Sequence, residues 1–261
     1  MKKLTNLLLP TISILVFILL WLPVILLVVY SFSSDRFGVR WGGFTFDWYI
    51  ALAQSTAALN ALQASLIIAI TATIVSVIMG TFGAYGLFKF KFWGKKHLRM
   101  IILIPMILPY VVTGGALLTY FTQVLPVPLG YPSIIVAHVT FSVPLAVFIM
   151  LGRLQRMDWT LELAAMDLGA SRVTTLRKIT APLLMPGIMA SGVLIFPWSL
   201  SDFVITYFVA GVGNVTLPIY IYSQMRYGAT PMINAIGALF VLVTIIFIAL
   251  VGFILKEDRK T

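Results

Sequence analysis

The chain lacks cysteine altogether, and only 10% of its 261 residues are charged. Without cysteine there are no disulfides, no Cys-ligated zinc and no thiol nucleophile. No Gly-x-x-x-x-Gly-Lys-[Ser/Thr] stretch is present, so the chain does not cradle nucleotide phosphates itself. No catalytic residue, metal site or cofactor site is assigned. A soluble domain carries about 25% charged and about 45–50% apolar residues. Here 61% of residues are hydrophobic, more than one soluble core could bury, and they come in long runs. Most of the chain is therefore solvated by lipid. In lipid every backbone polar group must be satisfied internally, which leaves helices or a closed barrel. Barrel strands would alternate in polarity over about ten residues. These runs are about twenty residues or longer and apolar on all sides, so they predict an all-α membrane protein.

Six spans are expected, at 7–30, 61–88, 100–121, 132–151, 187–209 and 232–255. They form a single transmembrane domain over 1–261. The first run is longer than a signal-peptide apolar region and ends without a small-x-small site, so it reads as a retained span. Net charge is +10. On a soluble domain this would suggest nucleic acid; here it follows from the positive-inside rule. The N-tail, segments 89–99 and 152–186, and the C-tail hold 15 of the 18 basic residues, leaving Arg36, Arg40 and Arg226 on the other side. That asymmetry places both termini in the cytoplasm. Outward segment 31–60 is aromatic and rich in turn residues, which predicts an interfacial stretch or a short surface helix.

Prolines recur inside the spans, at Pro105, Pro109, Pro144 and Pro197. Each removes a backbone hydrogen bond and kinks its helix. Pro105 and Pro109, followed by Gly114-Gly115, concentrate distortion in the third span, which places Pro109 and Tyr110 along a substrate path. In the fifth span Ser199, Asp202 and Thr206 fall at i, i+3 and i+7, one polar stripe on a helix face. Asp202 is expensive in lipid and must face the bundle interior, water or a partner. The stripe therefore either lines the translocation route or forms a polar seam against a neighbouring helix. His138 has no carboxylate placed to exchange with it, so a structural hydrogen bond is expected there in preference to a proton relay.

Segment 152–186 is longer than an ordinary connector. Thr160 reads as an N-cap and Gly169 as a C-terminal stop, with Leu161, Ala164, Ala165 and Leu168 at helical spacing between them. Ser171 caps a second short helix, expected to end near Pro182. The small residues Ala164, Ala165, Gly169 and Ala170 make a poor membrane anchor and permit close approach of another protein.

Leu163-Ala164-Ala165, three residues, Gly169, nine residues and then Ile179-Thr180-Ala181-Pro182 resembles the Glu-Ala-Ala motif of ABC importer permeases. Leu163 stands where the family has Glu, with Glu162 one place earlier, and Ala181 stands where it has Leu. The likeness extends over nearly the whole chain. It includes Phe90–Lys95, Pro105-x-x-x-Pro109, Ala137-His138-Val139-Thr140-Phe141-Ser142, Ser199–Phe203, Thr206-Tyr207-Phe208 and Thr216–Ser223. These resemble the second permease of spermidine/putrescine-type systems.

The resemblance implies a MetI-like, type I importer permease of a bacterial inner membrane. It also implies Glu162, Leu163, Ala164, Ala165, Asp167 and Gly169 as the segment that couples to an ATPase. The expected partners are a second, related permease, two copies of a cytoplasmic ATPase that binds the ATP, and an external solute-binding protein. Inward movement of the solute by alternating access is implied as well. Polyamine permeases of this type carry two adjacent acids where this chain has Ser201-Asp202, and often an acid at Met232. Fewer acids leave a polyamine, another organic cation, an amino-acid- or opine-like solute, or a small anion as candidates. The other functional classes are an ion-coupled secondary transporter, which needs an intramembrane ion site, and a non-transporting scaffold, which needs no 152–186 spacing.

Overall fold

The computed structural model describes residues 2–35, 40–227 and 231–257. Arg36, Arg259 and Lys260 of the charge count lie outside them. The described residues form helices, with one isolated antiparallel bridge between Ser33 and Phe44. Five helices are long and apolar enough to cross a bilayer, and a bent pair makes a sixth span if counted as one. Contacts gather into two compact units, Met1–Asn60 with Tyr220–Ile246, and Ala61–Ile219 with Phe247–Thr261.

In the first unit, α1 (Lys2–Tyr30) and most of α12 (Pro231–Glu257) are the long apolar helices. They pack closely at Gly237, where an added Cβ would lie 2.9 Å from Leu27 Cδ1. The aromatic segment after α1 folds on itself. Phe32 stacks on Phe44 with ring centres 5.2 Å apart, and Trp48 Nε1 donates to the Ser33 carbonyl at 2.7 Å. It leads into a short helix, α2 (Asp47–Gln54), as its composition predicts. Past residue 219 the unit also takes in most of α11 (Leu217–Tyr227), a helix between the fifth and sixth expected spans.

The second unit is built on α3 (Thr56–Lys89) and α6 (Tyr131–Gln155). Their close approach needs Gly80, since a Cβ there would run into that of Ala146. One core cluster joins Ile68, Phe121, Ile134, Phe141, Ile205 and Val209; another joins Leu87, Met150, Leu154 and Leu184. Burial of such side chains contributes about 1.5–3 kcal/mol each against water. Between helices already in lipid, complementary packing of small residues carries more of the association.

Three expectations about helix continuity change. The third span is two helices, α4 (Lys95–Ile107) and α5 (Tyr110–Gln123), bent by 106°. Pro109 causes the break: it cannot donate a hydrogen bond and it pushes the residue before it out of the helical region. Leu108 accordingly has ψ 140°. Pro105 is absorbed within α4, and Gly114 serves packing: a Cβ there would lie 2.6 Å from a ring carbon of Phe208. The fifth span begins earlier and ends earlier than expected, running from Arg172 to Ser201. Pro182 does not end the short helix α8 (Arg172–Thr175). A π-helical turn, Leu176–Thr180, carries the chain into α9 (Ala181–Ser201), and the widened turn accommodates the proline. The chain then breaks at Asp202-Phe203 and restarts as α10 (Val204–Val209).

Candidate functional site

Two groups of the expected residues are brought together in the second unit. The first is α7 (Thr160–Asp167), the short helix of the long loop. Thr160 is its first residue and not its cap. The preceding Asp158 accepts from the Thr160 hydroxyl at 2.8 Å and from the Thr160 N–H at 3.0 Å. These two bonds hold the Asp158 carboxyl below the usual carboxylate range. Gly169 stops the helix as expected, with φ +86°, a conformation that glycine adopts without strain. Ser171 caps α8 by accepting from the Thr174 N–H at 3.2 Å.

The residues of α7 divide between two directions. Leu161, Leu163, Ala164, Asp167, Leu168 and Gly169 are exposed, with Leu163 at 59% and Leu168 at 89%, while Ala165 is half-buried. Glu162 is 5% exposed. It accepts from Lys89 Nζ at 2.6 Å and from the Thr180 hydroxyl at 2.5 Å. It therefore faces its own subunit, although its place beside the motif suggested coupling to a partner. A cavity of about 360 Å³ lies beside it, lined by Tyr85, Lys89, Phe90, Met166, Arg172 and Leu176 among others.

The second group surrounds His138. Ser199, Asp202 and Thr206 do not share one continuous helix face, because the helix breaks between α9 and α10. They converge all the same. His138 Nδ1 lies 2.7 Å from Ser199 Oγ, and Nε2 lies 2.9 Å from Thr206 Oγ1 and 3.4 Å from Asp202 Oδ2. Asp202 Oδ2 accepts from both the N–H and the hydroxyl of Thr206, each at 2.9 Å. Because the Thr206 hydroxyl proton points to Asp202, its oxygen accepts from Nε2–H of His138. A carboxylate does stand beside His138, contrary to expectation, because the contact joins α6 to a helix end more than sixty positions away. His138 and Thr206 are each 1% exposed. The stripe is thus bonded within the subunit as a seam.

Tyr110, the first residue of α5, is exposed and adjoins the aromatic rings next to this network. Its ring centre lies 5.9 Å from that of Trp198 and 6.2 Å from that of Phe141, which meets Trp198 edge-on at 3.9 Å. Pro109, at the bend, is also exposed.

Asp158→Ala removes the acceptor for the first turn of α7, and amide exchange at Thr160–Leu163 should quicken. Because folding lowers the Asp158 pKa, its contribution is complete above the unfolded value of about 3.9. It is lost as pH falls through the lower folded value, so the same amides should lose protection in acid and not near neutrality. His138→Ala strands the buried Ser199 hydroxyl, while Thr206 keeps its bond to Asp202, and it leaves a cavity. The thermal midpoint in detergent should fall by an amount equivalent to about 2–4 kcal/mol, and an unchanged midpoint would show that the network carries no stability.

Comparison with known proteins agrees with this architecture. The family model described as "Binding-protein-dependent transport system inner membrane component" matches residues 72–256. The Spermidine/putrescine transport system permease protein PotC of Escherichia coli (strain K12) is 35% identical over 241 residues, covering 92% of this chain and 91% of that protein. The Putrescine transport system permease protein PotI of the same organism is 37% identical over 229 residues, covering 85% and 82%. A chain of the bacterial alginate ABC transporter, in complex with an alginate pentasaccharide-bound periplasmic protein, superposes with TM-score 0.73 at 20% identity, covering 100% and 96%. The chain belongs to the binding-protein-dependent transport system inner membrane components, and it is a membrane-spanning permease subunit of an ABC importer.

Proposed function

We propose that this permease moves a polyamine, or a closely related organic cation, inward by alternating access. In this reading a separate ATPase supplies the energy by docking on α7. The observation that carries the docking is the outward face of that helix. Leu161 and Leu163 on this eight-residue helix, and Leu168 just after it, are exposed around Ala164. An apolar face flanked by small side chains suits burial against a protein groove. The 15-to-3 division of basic residues supports a cytoplasmic position for this helix and for both termini.

The names of the PotC and PotI relatives support the polyamine assignment, at 35% and 37% identity. The periplasmic protein bound to the alginate transporter supports delivery of the solute by an external binding protein. A related second permease completes the pore, since six spans at most enclose little aqueous space. ATP is bound and hydrolysed by the partner ATPase, and this chain contributes no catalytic group. Pro109 and Tyr110, exposed at the bend, remain the candidates to line the path. Ser199, Asp202 and Thr206 act by holding the helix ends that shape it.

The test uses the complete transporter in proteoliposomes, with its ATPase, second permease and binding protein. Labelled spermidine or putrescine should accumulate only with ATP and the binding protein. Accumulation of an amino-acid- or opine-like solute in its place would overturn the substrate assignment. Ala164→Trp should release the ATPase during co-purification, with uptake reduced by at least about tenfold, as expected for a bulky side chain at the centre of an interface. Retained ATPase and full uptake in that variant would refute docking on α7.

A further inference from the structure

Glu162 is the one buried residue among the described residues of α7, and it is charged. Burying a carboxylate is costly unless it is paired and hydrogen-bonded. Both of its oxygens are engaged, and they reach different elements. Oε2 accepts from Lys89, the last residue of α3, while Oε1 accepts from Thr180, the last residue of the π-helical turn that leads into α9. Thr180 is wholly buried. Lys89 is itself held on the far side, with Nζ 4.4 Å from the centre of the Trp159 ring, and that ring stacks on Phe88 at 5.1 Å. Apolar packing reaches α3 just before α7 begins, through Met157 and Trp159, while a cavity of about 360 Å³ lies along the helix itself, lined by Glu162 and Met166 with Tyr85 and Lys89 of α3 and Arg172 of α8. A helix of eight residues with its apolar side chains turned outward is thus tied inward by a charged, two-armed link.

We propose that Lys89, Glu162 and Thr180 form a strut that transmits displacement of α7 to α3 and α9, and that Glu162 is a positioning residue for coupling and not a contact with the ATPase. This rests on the docking of α7 proposed above. An apolar link of similar volume could fix α7 in one place. A charged link with two directional arms also fixes its orientation to both helices, because each oxygen must keep its own donor. Movement of α7 then pulls on both spans together.

The experiment measures three quantities on the reconstituted transporter: ATPase retained on co-purification, solute imported per ATP hydrolysed, and thermal midpoint. Glu162→Gln and Lys89→Met should keep the ATPase bound while solute imported per ATP falls by about fivefold or more. Lys89→Arg, which preserves the charge and its reach, should restore the ratio to within about twofold of the wild type. The exchanged pair Lys89→Glu with Glu162→Lys should recover part of what either single change loses. Thr180→Val removes one arm, leaves the ion pair intact and should lower the ratio with the ATPase still bound.

A wild-type ratio in Glu162→Gln and Thr180→Val would overturn the strut. Release of the ATPase by Glu162→Gln, with Lys89→Arg retaining it, would also overturn it, because Glu162 would then belong to the docking surface. If Ala164→Trp kept the ATPase bound, docking on α7 would fail separately, whatever the ratio in the strut variants. If Glu162→Gln did not assemble, Thr180→Val and Lys89→Arg would decide the matter alone. Equal ratios in those two variants would refute the strut, and a loss confined to Thr180→Val would support it.

Discussion

In hydrocarbon a backbone N–H or C=O has no water to turn to, and this constraint shapes each irregular point in the chain. At the 106° bend, Leu108 N–H still donates to Ile104, while the Thr113 N–H and hydroxyl both donate to the Pro109 carbonyl. The break after α9 is satisfied differently. Asp202 accepts from the Thr206 N–H, and the Tyr207 N–H returns to Phe203. At the start of α6, Ser133 Oγ accepts from the Gly130 N–H and lies 2.7 Å from the Val209 carbonyl, tying that start to the end of α10. At the break after α9 and at the start of α6, short polar side chains take the place of helical backbone bonds.

The same constraint explains where the acids sit. The sequence has eight acidic residues, and two of them, Asp202 and Glu162, have side chains only 7% exposed. Neither presents a free charge. Asp202 caps a helix restart and anchors His138; Glu162 joins a surface helix to two larger elements. Buried charge is poor value for stability alone, so both positions point to geometry as what these residues provide. A chain with few acids spends them where helix ends must be held in a defined relation.

The spans were legible because run length and apolar content are properties of each segment by itself. The short helix of 160–167 was legible from its stop at Gly169 and its spacing, but Thr160 was misassigned as a cap because Asp158, two residues earlier, is an equally good acceptor. Pairings between distant segments leave no such trace. The spacing of Ser199, Asp202 and Thr206 presumed one unbroken helix, and only the fold reveals that the break still lets them converge on His138. Glu162 sits next to the family motif, so proximity in sequence suggested a partner-facing role. Its burial depends on Lys89, more than seventy residues away. The π-helical turn before Pro182 was likewise hidden, since a proline in sequence reads as an end and the compensating wide turn has no signature of its own.

One helix connects these observations. α9 begins immediately after Thr180, which holds Glu162, and ends at Ser201, between the two positions that hold His138. Its 21 residues make a rod about 30 Å long, roughly the hydrocarbon thickness. A rod pinned at one end by the surface helix and at the other by a buried polar network moves at both ends or at neither, apart from bending at Pro186 and Pro197. The rings of Trp198, Phe141 and Tyr110 sit at the far end, against the α4–α5 bend. Displacement at α7 is therefore placed to reach the bend through a single helix. A flexible connection at either end of α9 would absorb the motion, and the bonds found at both ends are of the directional kind that resists it.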